Sequence, residues 1–524
     1  MVQIAADRLR KDSYLQVLTI AFIAYVIITV FAAVHNYSNY GAAYYDVGLE
    51  AYSFYWHVHG LQYYTYPLDY VVFVNHVSPF SILIVPLFAI YQRPLTMFLV
   101  QSVFVGLTGI LTYLAADDLL GSRKIGFAMA VAYFINAGTI SLSLTNYHIE
   151  AIMPFFYMLS FYLYIKGRRW GFIASYALLL SLYEVMTIVG GSLLVALLLY
   201  ELVYNARSKD NKGKWKSGLL TLLIALAVTA AFAAFYSQSA ALISSSYANT
   251  PYSSIVPMQR IINYVSNELG LIHSQQTLQQ RIFTVYGTAV GVILFFFGYG
   301  LSSLVNPVIS LVLYSPWLFD LIFAHNIAFL YGVTQYYSYA MGGSIASAIL
   351  GLMIIYKSKF RIMGHEVRSI RKHERAVAIS IVAIASIVAV MFAPLFLDFK
   401  TSLPPTPQAV NTTMINQALA TIPTNATVLA QTSIASHLYY IHELELAPSD
   451  RSYGVGFLGA QVYWTRPKYV VIDSNLPGYK ELNSSGIKDE YNNTLLSGYD
   501  IYNLTAKNYT VIYGRDNLYI YRSG

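Results

Sequence analysis

The sequence contains no cysteine. Disulfide bonds, zinc sites with cysteine ligands and thiol nucleophiles are therefore excluded. Charge is also scarce, because charged residues make up 11% of the chain and hydrophobic residues 56%. A soluble protein carries about 25% charged residues. This composition indicates a polytopic membrane protein.

Basic residues are missing from a long stretch near the start, since no lysine or arginine occurs between Lys11 and Arg93. Most of the 32 basic residues fall instead into five short clusters, each beside an apolar run: 8–11, 123–124, 166–169, 207–216 and 357–375. Cytoplasmic loops carry such clusters under the positive-inside rule. The net charge of +7 therefore reflects membrane topology, and nucleic-acid binding is rejected.

Apolar runs of about 20 residues predict membrane-spanning helices. We predict about 11 spans: 14–34, 95–116, 125–144, 151–165, 171–183, 185–204, 217–236, 283–302, 304–323, 338–356 and 376–397. The first run has no small-residue cleavage pattern behind it, so it is interpreted as a retained span rather than a signal peptide. With a cytoplasmic N-terminus, all five basic clusters lie inside and the C-terminus lies outside. The run 79–91 is too short to span comfortably and is interpreted as an interfacial or re-entrant helix.

A second signal agrees with this topology. The N-glycosylation pattern Asn-x-Ser/Thr occurs only in segments that the charge rule places outside, at Asn36, Asn411, Asn425, Asn483, Asn492, Asn503 and Asn508. The prediction is a multi-pass protein of the cell membrane and a glycoprotein. The glycosylation patterns and the missing cysteine also suggest a prokaryotic, archaeal-like cell envelope.

The chain divides into a transmembrane part, residues 1–397, and an extracytoplasmic part, residues 398–524. The proline-rich stretch 403–407 is typical of a stiff, extended linker. Short runs rich in Val, Ile and Tyr predict strands at 426–430, 469–473, 500–504, 509–513 and 518–521. Helical patterns at 413–421 and 490–497 alternate with them. We therefore predict a small α/β domain beyond an all-α membrane bundle.

The first predicted outer loop, residues 35–94, is polar and aromatic. It holds three acids and four histidines: Asp46, Glu50, Asp69, His35, His57, His59 and His76. Asp46 stands where the chain leaves the membrane, and a carboxylate there can accept a proton from an acceptor hydroxyl or bind a metal. A helix cap is an equally good interpretation of Asp46.

Further ionisable residues fall on the same predicted side. His148 and Glu150 precede the span 151–165, and Glu184 lies between two apolar runs. Ionisable residues at membrane depth usually face the bundle interior and serve a function, although a polar loop at a helix end is an alternative. Asp320, His325 and the patch Gln335-Tyr336-Tyr337 complete the set that one outward-facing site would require. Most of the 48 tyrosines are expected to anchor the chain at the membrane interface.

The order of these elements resembles the GT-C superfamily of membrane glycosyltransferases, such as the protein O-mannosyltransferases and aminoarabinose transferases. The closer resemblance is to a family of polytopic proteins, domain of unknown function 2079. The stretches that carry it are Tyr45-Asp46-Val47-Gly48, His76-Val77-Ser78-Pro79, Tyr147-His148-Ile149-Glu150, Glu184, Gln335-Tyr336-Tyr337 and Tyr469-Val470-Val471-Ile472-Asp473. One departure is Ile149, where relatives more often have proline.

The resemblance implies transfer of a sugar from a polyprenyl-phosphate donor on the extracytoplasmic face. Asp46 would serve as general base or metal ligand, and His148 and Glu150 would match the second catalytic position. A divalent cation, Mg²⁺ or Mn²⁺, would be held by Asp46, His148 and Glu150, although no Asp-x-Asp pair follows Asp46.

The remaining candidates are residues that would contact substrate. They are His76, Glu184, Tyr336 and Tyr337, together with arginines suited to a phosphate leaving group, Arg93, Arg260 and Arg281. Two other functions stay open: a transporter or flippase for a lipid or small solute, and a non-catalytic anchor of the cell envelope.

Overall fold

The computed structural model describes most helices and part of the C-terminal segment. The described residues are 9–41, 47–60, 77–144, 147–202, 214–246, 293, 298–299, 301–323, 338–357, 360–362, 365–367, 373–399, 411–441, 443–447, 467–473, 475–476, 487–488, 494–496 and 509–524. The chain forms two compact units. The first unit comprises residues 1–30, 99–237 and 257–400, and the second comprises residues 31–98, 238–256 and 401–524.

The helices that contribute to the first unit follow the apolar runs of the sequence. They are α1 (Ser13–Ser38), α4 (Pro94–Leu120), α5 (Arg123–Ile135), α6 (Ala137–Leu144), α7 (Met153–Ile165), α8 (Arg169–Leu180), α9 (Met186–Tyr200), α10 (Lys214–Ser246), α11 (Pro307–Phe323), α12 (Ser338–Lys357) and α13 (Glu374–Phe399). Helices α2 (Leu49–Val58) and α3 (Ser81–Ile90) belong to the second unit.

Five helices among the described residues are long and apolar enough to cross a membrane. They lie within α1, α4, α10, α12 and α13, and the bent pair α5–α6 would make a sixth. Shorter apolar helices, α7, α8, α9 and part of α11, occupy four other predicted spans. The chain is therefore a multi-pass membrane protein, and the expected number of about 11 spans stays a prediction.

The bend of 50° between α5 and α6 lies at Asn136. The backbone of Asn136 is extended (φ −63°, ψ 126°), which interrupts the helical hydrogen bonds. Its side-chain Oδ1 accepts a hydrogen bond from the Gly138 backbone N–H at 2.9 Å. The side chain thus satisfies a donor that the break exposes, as a helix cap does.

Acidic and basic residues meet at several helix ends of the first unit. The Tyr113 hydroxyl donates to Asp12 Oδ2 at 2.5 Å, and Arg123 Nε lies 3.7 Å from the same carboxylate. Lys166 Nζ lies 2.9 Å from Asp118 Oδ2. The basic clusters that defined the topology therefore also neutralise buried or partly buried acids, which would be costly alone in a membrane.

Helix α12 packs closely against its neighbours because glycines leave room for them. A Cβ atom on Gly342 would come within 2.7 Å of the Tyr157 ring, and one on Gly343 within 2.5 Å of the Leu313 carbonyl oxygen. A Cβ on Gly351 would collide with the backbone carbonyl of Ser302. Small residues allow this close approach of helix backbones in membrane proteins.

The second unit contains a mixed β-sheet of five strands in the order β4-β3-β5-β9-β8. The strands are β3 (Thr427–Gln431), β4 (Glu443–Ala447), β5 (Tyr469–Asp473), β8 (Tyr509–Arg515) and β9 (Leu518–Ser523). Strand β3 runs parallel to β4 and β5, while β9 runs antiparallel to β5 and β8. Helix α14 (Thr412–Leu419) covers the core, to which Leu49 and Tyr52 of α2 contribute.

Several details of the secondary structure differ from the sequence prediction. Strand β7 (Thr494–Leu496), paired with β6 (Ile487–Lys488), replaces part of the helix predicted at 490–497. Five elements were not predicted: β4, β6, the short helix α15 (Thr432–Ala435), and the paired strands β1 (Phe360–Ile362) and β2 (His365–Val367). These segments are short, and cross-strand pairing overrides weak local patterns. The strand predicted at 500–504 lies outside the described residues.

An aromatic stack joins the end of α1 to the C-terminal segment within the second unit. The His437 ring lies between Tyr37 and Tyr40, with centroid distances of 4.2 and 4.0 Å. His437 Nε2 donates to the Tyr37 carbonyl oxygen at 2.9 Å, and the Tyr37 hydroxyl donates to the Ser436 carbonyl at 3.0 Å. Burial lowers the pKa of His437 from 6.5 to about 4, so the ring is neutral near pH 7.

Replacing Gly351 by alanine should destabilise the bundle. The new methyl group must displace the Ser302 backbone, and overpacking of this kind costs about 1–3 kcal/mol. Thermal unfolding in detergent should show a lower midpoint for Gly351→Ala. Gly191 is the matched control because a Cβ there meets nothing within 4 Å. Gly191→Ala should leave or raise the midpoint, since alanine favours helix by up to about 1 kcal/mol. Equal midpoints for both variants would contradict the close packing at Ser302.

The second unit should lose stability as the pH falls from 6.5 to 4. In this window the unfolded chain binds a proton at His437 that the folded chain resists, so the loss reaches up to about 3 kcal/mol below pH 4. His437→Phe keeps an aromatic ring without a titrating group and should flatten this pH dependence, measured by amide hydrogen exchange of β3 and β4. His59 is exposed, so His59→Gln serves as the control and should leave the pH dependence unchanged.

Candidate functional site

Several of the predicted site residues lie outside the described part of the structure. They are Asp46, His76, Arg260, Arg281, Tyr336 and Tyr337, and the side chain of Asp320 is likewise not described. Their proximity to the other candidates therefore stays a prediction. The N-cap position of α2 is Gly48, which provides no side-chain cap. Both interpretations of Asp46, a proton acceptor or metal ligand and a helix cap, stay predictions.

The segment that carries His148 and Glu150 changes conformation between the two residues. His148 is extended (φ −141°, ψ 127°), and Glu150 lies in a 3₁₀ turn, Ile149–Ile152, that leads into α7. The Ala151 backbone N–H donates to the His148 carbonyl oxygen at 3.1 Å. Glu150 is buried, with 4% of its surface exposed, and His148 is half-buried. The acid is therefore held inside the bundle rather than in an open polar loop.

A residue that the sequence analysis missed positions this segment. Gln101 is buried within α4, and its Oε1 accepts a hydrogen bond from the His148 backbone N–H at 2.7 Å. Its Nε2 donates to the Leu142 carbonyl oxygen at 2.8 Å. One amide thus spans from the end of α6 to the start of the His148 segment. A glutamine inside an apolar run was the available signal, because polar groups at membrane depth need partners.

Glu184 occupies the short connection between α8 and α9. It is buried, with 5% of its surface exposed, and its carbonyl oxygen accepts a hydrogen bond from the Thr187 hydroxyl at 2.9 Å. The Tyr236 hydroxyl lies within electrostatic range of the Glu184 carboxyl group.

Two tyrosines connect the surroundings of Glu150 and Glu184. The Tyr339 hydroxyl lies within electrostatic range of Glu150, and the Tyr339 ring lies 6.2 Å from that of Tyr183, the neighbour of Glu184. Both tyrosines are buried. The first unit therefore contains two buried carboxyl groups bordered by aromatic rings. Such groups can accept protons or hydrogen bonds from a hydroxylated ligand in a low-dielectric setting.

The described residues include two of the three predicted metal ligands. No group of three or more His, Asp or Glu side chains suited to a metal ion occurs within the described ranges. His148 and Glu150 are two potential ligands, and Asp46, the third predicted one, lies outside those ranges. The carboxylate oxygens of Asp46 and Glu150 would suit Mg²⁺ or Mn²⁺, with the His148 imidazole as a nitrogen ligand.

Arg93 belongs to the second unit. It is exposed, and its guanidinium carbon lies 5.9 Å from the centre of the Tyr91 ring. The Tyr439 hydroxyl donates to the neighbouring Gln92 carbonyl oxygen at 3.0 Å. Burial raises the pKa of Tyr439 to about 12, although the charge of Arg93 opposes this shift. The Tyr439 hydroxyl thus keeps its proton and remains a donor.

Comparison with solved structures shows the fold. ArnT from Cupriavidus metallidurans bound to undecaprenyl phosphate matches with a TM-score of 0.52 and 10% sequence identity, over 96% of this chain and 97% of that chain. The apo structure of the same ArnT matches with a TM-score of 0.47 and 12% identity, over 96% and 97% of the two chains. The match to the ArnT structure with bound lipid shows that this chain shares the fold of ArnT.

Comparison of the sequence gives the family. No curated protein shows a significant match. The family described as predicted membrane protein DUF2079 matches residues 38–511, which confirms the resemblance that the short motifs indicated. The chain belongs to the DUF2079 family of membrane proteins.

Proposed function

We propose that this protein transfers a sugar from a polyprenyl-phosphate donor to an acceptor hydroxyl on the extracytoplasmic face of the membrane. The observation that carries the proposal is a pair of buried acids, Glu150 and Glu184, set among tyrosines in a bundle with the ArnT fold. An ArnT structure contains undecaprenyl phosphate, which supports a lipid donor of this class.

The proposed reaction is direct displacement at the anomeric carbon of the donor sugar. The acceptor oxygen forms a bond to that carbon while the bond from the carbon to the phosphate oxygen breaks. The phosphate leaves with the electron pair, and the acceptor proton passes to a carboxylate. We assign proton acceptance to Asp46, with His148 and Glu150 orienting the acceptor.

The leaving phosphate gains negative charge, and a cation close to it stabilises the transition state. Arg260 is the proposed cation, because a guanidinium group binds phosphate oxygens in a forked geometry. A divalent cation held by Asp46, His148 and Glu150 would supply the same charge. His76, Glu184, Tyr336 and Tyr337 are proposed to contact the sugar or the acceptor.

Neutralising the proposed acids should abolish transfer while the protein stays folded. Asp46→Asn and Glu150→Gln should each reduce transfer from a radiolabelled polyprenyl-phosphate sugar by at least about a hundredfold, the usual scale for general acid–base groups. Glu201 is a matched control, since it is also buried and bonds the Tyr164 hydroxyl at 2.8 Å. Glu201→Gln should retain transfer. Full activity in Asp46→Asn would refute the assignment.

The lipid that copurifies with the protein, together with a transport assay, distinguishes the proposed transfer from its two alternatives. Mass spectrometry of the purified protein should detect a polyprenyl phosphate or its glycosylated form. A flippase could also retain such a lipid, so transport is measured in parallel in proteoliposomes. Movement of the lipid or a solute without any new glycosidic product would favour the transporter, and a stoichiometric protein partner without lipid would favour the envelope anchor.

Gln101 is proposed to act by positioning the His148 segment. Gln101→Leu removes both hydrogen bonds and should lower kcat by about tenfold to a hundredfold, with a smaller change in KM for the lipid donor. Thr112 lies on the same helix, is buried, and bonds only the Thr108 carbonyl at 2.8 Å in the described structure. Thr112→Val should therefore retain kcat. Equal losses of kcat in both variants would assign the effect to packing of α4 rather than to the His148 segment.

A further inference from the structure

Aromatic side chains from two distant parts of the sequence meet in the second unit, and one of them, Tyr439, bonds the residue next to Arg93. Tyr55 lies in α2, Tyr91 and Arg93 lie between α3 and α4, and Tyr439 and Tyr440 lie in the turn before β4. We call these five residues the tyrosine–arginine surface. All five are half-buried or exposed.

The rings of this surface have fixed and different orientations. The Tyr439 ring lies 5.7 Å from Tyr55 at 77° and 5.8 Å from Tyr440 at 82°. These edge-to-face contacts restrain each ring while part of it stays accessible. A restrained aromatic ring offers contact area to a ligand at a low cost in conformational entropy.

The backbone of Arg93 is held in place by hydrogen bonds, as the rings are by their contacts. Its backbone N–H donates to the Tyr91 carbonyl oxygen at 2.7 Å, and its carbonyl oxygen accepts from the Thr96 N–H at 3.0 Å. The hydrogen bond from the Tyr439 hydroxyl to the Gln92 carbonyl oxygen also holds this turn. No carboxylate pairs with Arg93 in the part of the chain that the structure describes. Its charge is therefore available to an anion from outside the chain.

Anchoring at the membrane interface explains only part of this surface. Tyr91 lies just before α4, where an interfacial tyrosine is expected. Tyr439 and Tyr440 instead follow the last long apolar helix, α13, by about 40 residues. Core packing also explains only part of it. Tyr439 and Tyr440 pack against the core of this unit but keep accessible surface, whereas Tyr40 and Tyr52 have at most 3% of their surface exposed. A binding role accounts for both the ring restraint and the accessible cation.

We propose that the tyrosine–arginine surface binds an acidic saccharide, which is the acceptor of the proposed transfer. Sugar rings present apolar C–H faces to the tyrosine rings and hydroxyl groups to the tyrosine oxygens, and a phosphate or carboxylate on the saccharide matches the Arg93 fork. The identification of this saccharide as the acceptor rests on the proposed function. Binding of the saccharide does not.

Binding can be measured on the full-length protein in nanodiscs by the change in tryptophan emission, since the Trp56 ring lies 5.2 Å from Tyr55. Trp56→Phe should remove most of the signal. The probes are phosphorylated mannopentaose, oligogalacturonate, neutral mannopentaose and inorganic phosphate. We expect one of the two acidic saccharides to bind at least about tenfold more tightly than the neutral sugar or phosphate alone. Equal binding of phosphate alone, or no binding of either acidic saccharide, would overturn the proposal.

Variants then separate the contributions of charge and rings. Arg93→Gln and Tyr440→Ala should each weaken binding by about tenfold, whereas Tyr440→Phe should retain most of it. Arg522 and Tyr519 are exposed residues of β9 in the same unit, so Arg522→Gln and Tyr519→Ala are the matched controls and should bind normally. Loss of binding in Arg93→Gln with full binding in Tyr440→Ala would leave an anion site and refute the saccharide.

The two proposals fail separately. Glu150→Gln should lose transfer and keep saccharide binding, since Glu150 belongs to the first unit and not to this surface. Wild-type protein that binds the saccharide without any transfer would refute the proposed function and leave the binding surface intact. Wild-type protein that transfers sugar without binding any acidic saccharide would refute only the surface.

Discussion

The cost of an unsatisfied polar group in hydrocarbon governs this structure. Without water in the bilayer core, each buried N–H, carbonyl or carboxyl group needs a partner within the protein. The bundle answers this requirement at specific places: Asn136 caps the bend between α5 and α6, and Asp12 meets Tyr113 and Arg123 at a helix end. Where acids remain deep in the bundle, a tyrosine lies within electrostatic range of each: Tyr339 for Glu150 and Tyr236 for Glu184. Because this cost makes acids rare inside membrane bundles, the presence of Glu150 and Glu184 there points to a functional role.

Gln101 shows how one such requirement can organise a functional segment. Its amide uses both a donor and an acceptor, so it ties Leu142 to His148 across a break in regular structure. At His148 the glutamine side chain thus supplies the hydrogen-bond acceptor for the backbone N–H. This bond holds the backbone at His148, and Glu150 follows two residues later in the 3₁₀ turn that leads into α7.

In the second unit, a shared core joins the first loop to the C-terminal segment. Leu49 and Tyr52 of α2 pack with Ile415, Val428 and Val471, and His437 stacks between Tyr37 and Tyr40. Burial of these apolar groups stabilises the unit. The hydroxyl groups of Tyr37 and Tyr40 and Nε2 of His437 form hydrogen bonds within it. Tyr55, Tyr439 and Tyr440 keep accessible surface at the edge of this core.

The sequence by itself determined the class of protein, the approximate position of the long helices and four of the five strands of the sheet. Composition and runs of apolar residues are local properties, so they can be read without knowing which segments meet. The short motifs around Asp46, His148 and Glu184 likewise sufficed for the family. By contrast, β4 and the hairpin β1–β2 depend on pairing partners, which the local pattern does not name.

Only the tertiary structure decided which residues act together. Gln101 and His148 are 47 positions apart, and Tyr55 and Tyr439 come from opposite ends of the chain. No periodicity links such pairs, because their contact depends on how the helices and the sheet pack. The sequence shows that Arg93 is far from other basic residues in its loop, whereas its proximity to Tyr439 depends on the fold.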